Sequence, residues 1–151
     1  MEPVLLRLLL VVGLLAVVGL AGAWWQRRDG RVRGGDGAVT VAGEHLAAVG
    51  LDLRAASAGA VLLGSPTCAP CTAVKRVLGD LQAERQDFTW VYADAADHLD
   101  LAQAHRVLRV PTLLVVDAEG RLLARTSGVP DADDLRRVLD DGGPLAEAPA
   151  A

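Results

Sequence analysis

Cys68 and Cys71 are the only cysteines of the 151-residue chain, and they stand three positions apart in the stretch SPTCAPC, Ser65 to Cys71. A disulfide at that spacing closes a tiny loop and constrains the unfolded chain little, so its value is chemical more than structural. A disulfide scaffold would use many more cysteines in a short secreted chain. The apolar run AVLLG (Ala60 to Gly64) precedes the pair and reads as a strand buried on both faces. After it, Val74, Val77, Leu78 and Leu81 fall at i, i+3, i+4 and i+7, which predicts a helix from Pro70 to about Arg85. The pair thus sits where a strand hands over to a helix. There the Cys68 thiol faces unpaired helix N–H groups and the positive end of the dipole, both of which favour thiolate. Cys71 lies one turn further on, close enough to bridge. The expected arrangement is an exposed attacking Cys68 and a shielded resolving Cys71. Pro70 is tolerated in the first turn, where its missing N–H has no intrahelical partner.

Other uses of the two cysteines fit less well. A zinc site needs two further ligands. His98 and His105 are the nearby candidates, but their spacing is too wide for a finger, and both read as surface positions of a helix. His45 has no identifiable partner. A peroxidatic cysteine of the peroxiredoxin kind is preceded by proline seven and Ser or Thr three residues earlier; Ser65 is present, but position 61 is valine. No nucleotide, flavin or metal motif is visible, so no metal and no cofactor beyond the Cys68–Cys71 redox pair is expected. The mild net charge of −4 argues against nucleic acid as a partner.

The elements around the pair follow from patterning. Leu8 to Trp25 carries no charge over about 18 residues, enough to span most of a hydrocarbon core. Arg7 suits snorkelling at one end, and Trp24 and Trp25 suit the interface at the other. The alternative is a cleaved signal peptide with Ala21–Ala23 as its cleavage site, but the run is long for that and its leader weakly basic. Residues 1–26 are therefore read as a transmembrane anchor in contact with the lipid bilayer. Residues 27–37, Gly-rich and basic, read as a flexible tether. Arg27, Arg28, Arg31 and Arg33 place the following domain on the cytoplasmic face by the positive-inside rule, with an extracytoplasmic domain as the alternative. Residues 38–141 form the folded domain, and 142–151 a disordered tail. Within the domain, 38–41 is a short strand candidate and 43–59 is partly helical. Phe88–Ala93 is a strand, His98–Val107 a helix with Leu99, Ala102 and Val107 inward, and Thr112–Asp117 a buried strand. Asp117–Gly120 is a hairpin turn into an antiparallel strand, and Asp131–Asp141 a closing helix whose acidic first turn suits the dipole. Alternating helices and buried strands followed by a hairpin imply an α/β domain: a central mixed sheet with helices on both faces.

CAPC after a buried strand, followed about 40 residues later by RVPTLLVVDAEGRLL, resembles the thioredoxin family over roughly Val39 to Asp141. The resemblance implies a thioredoxin-like three-layer α/β/α fold. It also implies that Pro111 is a cis-proline set against the C-x-x-C, and that Val110 presents its backbone to a client chain as a strand-like partner. Gly128 matches a glycine lining the same groove, and Thr67, Ala69 and Pro70 complete that surface. Departures accompany the match. Thioredoxins have tryptophan before the first cysteine, where this chain has Thr67. They have a buried aspartate six residues before it, where this chain has Leu62, and a lysine near that acid, where Trp90 stands.

Two readings follow. In the first, the chain is a membrane-tethered thiol–disulfide oxidoreductase: Cys68 attacks a disulfide-containing client protein, Cys71 resolves the adduct, and a thiol reductant or membrane electron donor restores the pair. In the second, it is a thioredoxin-fold module that docks a membrane partner, its redox chemistry vestigial.

Overall fold

A computed structural model describes residues 2–28, 32–34 and 39–142. The chain runs through α1 (Glu2–Arg28), β1 (Arg33–Gly34), α2 (Gly43–Ala48), β2 (Ala58–Gly64), α3 (Cys71–Glu84), β3 (Phe88–Asp94), α4 (Leu99–Ala104), β4 (Thr112–Asp117), β5 (Leu122–Ser127) and α5 (Ala132–Asp141). The five strands form one mixed sheet in the order β1-β5-β4-β2-β3, with β2 and β3 parallel and the other pairings antiparallel.

The apolar run before the cysteines becomes the middle of the sheet because both of its faces are covered. All seven residues of β2 are buried. Ala60 and Leu62 point to one side with Leu113 and Val115 of β4, under Val74, Leu78 and Leu81 of α3 and Leu135 and Val138 of α5. Val61 and Leu63 point to the other with Leu114 and Val116, under Leu46 of α2 and Leu101 of α4. This is the three-layer arrangement that the alternation of elements implied.

Several local expectations need correction. The strand expected at 38–41 is an isolated bridge, Thr40 with Arg121, because Val39 and Val41 reach only the start of β5. Two residues read as tether, Arg33 and Gly34, instead pair with Arg125 and Ala124 as the sheet's edge. Arg27 and Arg28 extend α1. The remainder of the tether, 29–31 and 35–37, and the tail from 143 onward lie outside the described residues, as does Ala38. The helix expected over 98–107 stops at Ala104. Arg106 takes a positive φ of 48°, and Arg125 of β5 donates to the carbonyls of His105 and Arg106 at 2.6 and 2.9 Å, so these carbonyls close the turn rather than extend the helix. Leu99, expected inward, is 56% exposed, and Leu101 takes the core position. His105, expected at the surface, is buried, and that burial holds its imidazole below the usual histidine range, with His45 and Arg125 adding to the effect.

The hairpin matches its sequence signal. Gly120 supplies the positive φ of 80° that the turn requires. Asp117 accepts hydrogen bonds from the Glu119 and Arg121 amides at 3.0 and 2.8 Å and from Arg121 Nε at 2.6 Å. Burial pushes this carboxyl up, but the Arg121 guanidinium and the two amides outweigh it and hold it below the usual carboxylate range. Asp117→Ala is expected to lower unfolding free energy by about 1–3 kcal/mol. Because the folded-state value is depressed, that contribution is fully present above the unfolded value of about 4 and is lost as pH falls through the folded one. Urea midpoints of parent and variant, compared at pH 7 and pH 3, are expected to converge at the lower pH.

α1 contains an 18-residue stretch, Arg7–Trp24, long and apolar enough to cross a membrane, and none of it is buried against the rest of the chain.

Candidate redox site

β2 ends at Gly64, and the chain turns through Ser65–Pro70 into α3, whose first residue is Cys71. Cys68 and Cys71 are joined as a disulfide with their Cα atoms 5.4 Å apart. The two sulfurs differ in surroundings: Cys68 is partly exposed, whereas Cys71 is only 4% exposed beneath the start of α3. Thr67, Ala69 and Pro70 are exposed beside Cys68. The helix begins one residue later than expected, at Cys71. Its first amides are already engaged: Cys71, Thr72 and Ala73 donate to the carbonyls of Cys68, Ala69 and Pro70 at 3.1–3.4 Å. The unpaired N–H groups expected to face Cys68 are thus occupied by the turn itself, which leaves the helix dipole as the general influence on that sulfur.

A second segment arrives at the same end of the sheet. Leu63 of β2 pairs with Thr112 of β4, which pairs with Ser127 of β5. That register sets Val110 and Pro111, just before β4, and Gly128, just after β5, at the sheet end where β2 delivers the cysteine loop. The Val110–Pro111 peptide is cis. Gly128 donates to the Pro111 carbonyl at 2.9 Å, and Thr112 Oγ1 donates to the Arg109 carbonyl at 2.7 Å while lying 3.2 Å from Ser127 Oγ. Pro111 is buried, and Val110 and Gly128 are partly exposed. Gly128 has a φ of 93°, a conformation that side chains disfavour. Thr112 and Arg125 were not singled out from sequence, yet they fix this loop. The partners of Arg125 lie 19 and 20 positions away, and Ser127 lies 15 from Thr112, separations that leave no short-range signal.

The profile of the thioredoxin-like domain matches residues 57–143, more than half of the chain. The chain belongs to the thioredoxin-like family. Solved structures agree in fold. A thioredoxin mutant from Halobacterium salinarum NRC-1 is 25% identical, with a TM-score of 0.52 over 63% of this chain and 83% of that one. Mitochondrial thioredoxin 3 from Saccharomyces cerevisiae, in its oxidized form, is 20% identical, with a TM-score of 0.50 over 59% of this chain and 82% of that one. A thioredoxin from Trypanosoma brucei brucei is 19% identical, with a TM-score of 0.51 over 68% and 86%. Among curated proteins, no sequence matches the chain.

Gly64 shows how tightly this thioredoxin-like domain is built around its cysteines. A β-carbon placed there would lie 2.5 Å from Cε2 of Tyr92 and 3.0 Å from Sγ of Cys71. Either the ring or the sulfur must give way, and both are packed. Gly64→Ala is therefore expected to destabilise the oxidised chain by about 1–3 kcal/mol. It should also leave Cys71 more reactive toward alkylating reagents after reduction, because whatever moves uncovers the sulfur. Chemical denaturation and timed alkylation of parent and variant check both outcomes.

Proposed function

We propose that the chain is a membrane-tethered thiol–disulfide oxidoreductase that reduces protein disulfides. The observation that carries this reading is the unequal exposure of a bridged pair: an accessible Cys68 joined to a covered Cys71 at the end of a buried strand. In the reduced state the Cys68 thiolate attacks one sulfur of a client disulfide. A Cys68–client bond forms, the client disulfide breaks, and one client thiolate leaves. Cys71, once deprotonated, attacks Cys68. The Cys68–Cys71 bond forms, the mixed disulfide breaks, and the second client thiolate leaves. Two electrons have passed to the client, and a thiol reductant or membrane electron donor returns them to the pair.

Val110 and Pro111 are assigned to hold the client backbone, with Thr67, Ala69, Pro70 and Gly128 lining the approach. Their place at the sheet end that delivers Cys68 supports this assignment. The apolar stretch of α1 supports an anchor, and the arginines after it support a cytoplasmic domain. The test is reduction of a protein disulfide by the dithiothreitol-reduced full chain in detergent micelles. Turnover well above that of free dithiothreitol is expected, and a rate equal to it rejects the assignment. Labelling of Cys68 in intact cells by a membrane-impermeant maleimide, with and without prior mild reduction, decides the face. Labelling that requires lysis supports the cytoplasmic side.

A second reading, a docking module with vestigial redox chemistry, is favoured by Leu62 and Thr67, which stand where thioredoxins carry aspartate and tryptophan. It requires that Cys68→Ser leave cellular function intact.

A further inference from the structure

The chain has one lysine, Lys75, and one tyrosine, Tyr92, and the fold places them together beside the covered sulfur. Nζ of Lys75 sits 3.8 Å from the centroid of the Tyr92 ring, within cation–π range. Lys75 is four residues beyond Cys71 on α3, one turn along the same face. The ring also borders the sulfur, since Cε2 of Tyr92 and Sγ of Cys71 both crowd the point where a Gly64 β-carbon would stand. Tyr92 therefore adjoins both the buried sulfur of Cys71 and the ammonium of the exposed Lys75.

Burial disfavours thiolate, and Cys71 must become thiolate to resolve a mixed disulfide. The groups around it offer little other help. β2 contributes Gly64 and Leu62, which carry no charge, and α3 contributes Val74 and Leu78 on the inner face. β3 contributes Tyr92 and, at its end, Asp94, whose carboxylate accepts from the Ala96 amide at 2.9 Å and whose negative charge opposes a nearby thiolate. Burial, with Asp94 adding to it, pushes the Tyr92 phenol up, so the ring stays neutral and keeps its attraction for a cation. Arg76, five residues beyond Cys71, is carried round the helix away from this face.

Resting on the thiol–disulfide reading above, we propose that the Lys75 ammonium, seated on the Tyr92 ring, stabilises the Cys71 thiolate in the resolving step. Lys75 and Tyr92 are thus positioning residues for the resolving sulfur. In that step Cys71 gives its proton to solvent, the Cys68–Cys71 bond forms, the Cys68–client bond breaks, and the client leaves as thiolate. Lysine suits the task because its charge is compact and rides on a long flexible stem, and in a chain otherwise supplied with arginine the exception falls at this position.

The test uses the full chain in detergent micelles with Cys68→Ser, so that Cys71 is the only thiol. Its alkylation by iodoacetamide is followed from pH 5 to pH 10. Lys75→Gln is expected to move the half-maximal pH upward by about half a unit to one unit, the scale of one charge acting across a partly hydrated gap. Lys75→Glu moves it further, and Lys75→Arg restores the parent profile. Lys75 is exposed, so these changes leave the core untouched. Superimposable profiles for the parent and Lys75→Gln would overturn the proposal. The titration needs neither client nor turnover. A chain that exchanges disulfides but shows no response to Lys75→Gln rejects the role of Lys75 alone, whereas a chain that responds but never exchanges rejects the oxidoreductase assignment.

Discussion

Cys68→Ser is expected to bring disulfide exchange down to the rate of the free reductant, a loss on the order of a thousandfold or more, because the remaining thiol, Cys71, is covered and out of reach of a protein client. Cys71→Ser is expected to behave differently. It retains the half-exposed sulfur and removes the buried one, so the first attack proceeds and the second cannot. The mixed disulfide then accumulates on Cys68 as an adduct released by dithiothreitol. The asymmetry follows from exposure, since Cys71, at 4%, cannot meet a protein client directly. Gel shifts under non-reducing conditions distinguish the two variants. Adducts in the Cys68→Ser chain alone would mean that the order of attack is reversed, and adducts in neither would reject the exchange reaction. An unimpaired Cys68→Ser chain would favour the docking-module reading.

The parts of this site that sequence made legible are those encoded within a few residues. The strand before Cys68 was readable because β2 is buried on both faces and so contains only small and aliphatic residues. α3 was readable because one face repeats every turn, and Val74, Leu78 and Leu81 are its buried positions. The acidic first turn of α5 belongs to the same class of signal, although Asp131, read as the first helical residue, instead caps the helix by accepting from the Asp133 and Asp134 amides. Contacts that join distant positions were not readable. The edge pairing of Arg33 and Gly34 with β5 has no hydrophobic pattern, since two residues cannot show a period. The end of α4 was misplaced because Arg125, 19 and 20 positions downstream, captures the carbonyls there. Leu99 and Leu101 sit two apart in a single short helix, and which of them faces inward depends on where the helix starts; the structure buries Leu101. The grouping of Cys71, Tyr92 and Lys75 carries no sequence signal for the same reason, because its members come from a helix and a strand separated by a loop.

Leu62→Asp is expected to cost more than about 4 kcal/mol at pH 7, from the lost apolar packing and from a carboxylate left without a partner. Leu62 has no exposure and stands in a row across the sheet, with Tyr92 on β3 to one side and Leu113 on β4 to the other. Its neighbours in that core are aliphatic and aromatic. The penalty has a pH signature. Burial raises the folded-state value of such a carboxyl above its unfolded value of about 4. The ionisation part of the cost is therefore absent below that pH, grows as pH rises, and is complete above the folded value. Urea midpoints measured from pH 4 to pH 8 should diverge steadily from those of the parent. A penalty independent of pH would mean that the new carboxylate finds a cation, and Lys75, seated on the ring of the neighbouring Tyr92, is the candidate. The substitution thus bears on why a chain resembling thioredoxins has leucine at this position. With an apolar core around the sulfur, the residue proposed to favour a Cys71 thiolate is Lys75 on the Tyr92 ring, and the domain keeps the packing that a buried acid would weaken.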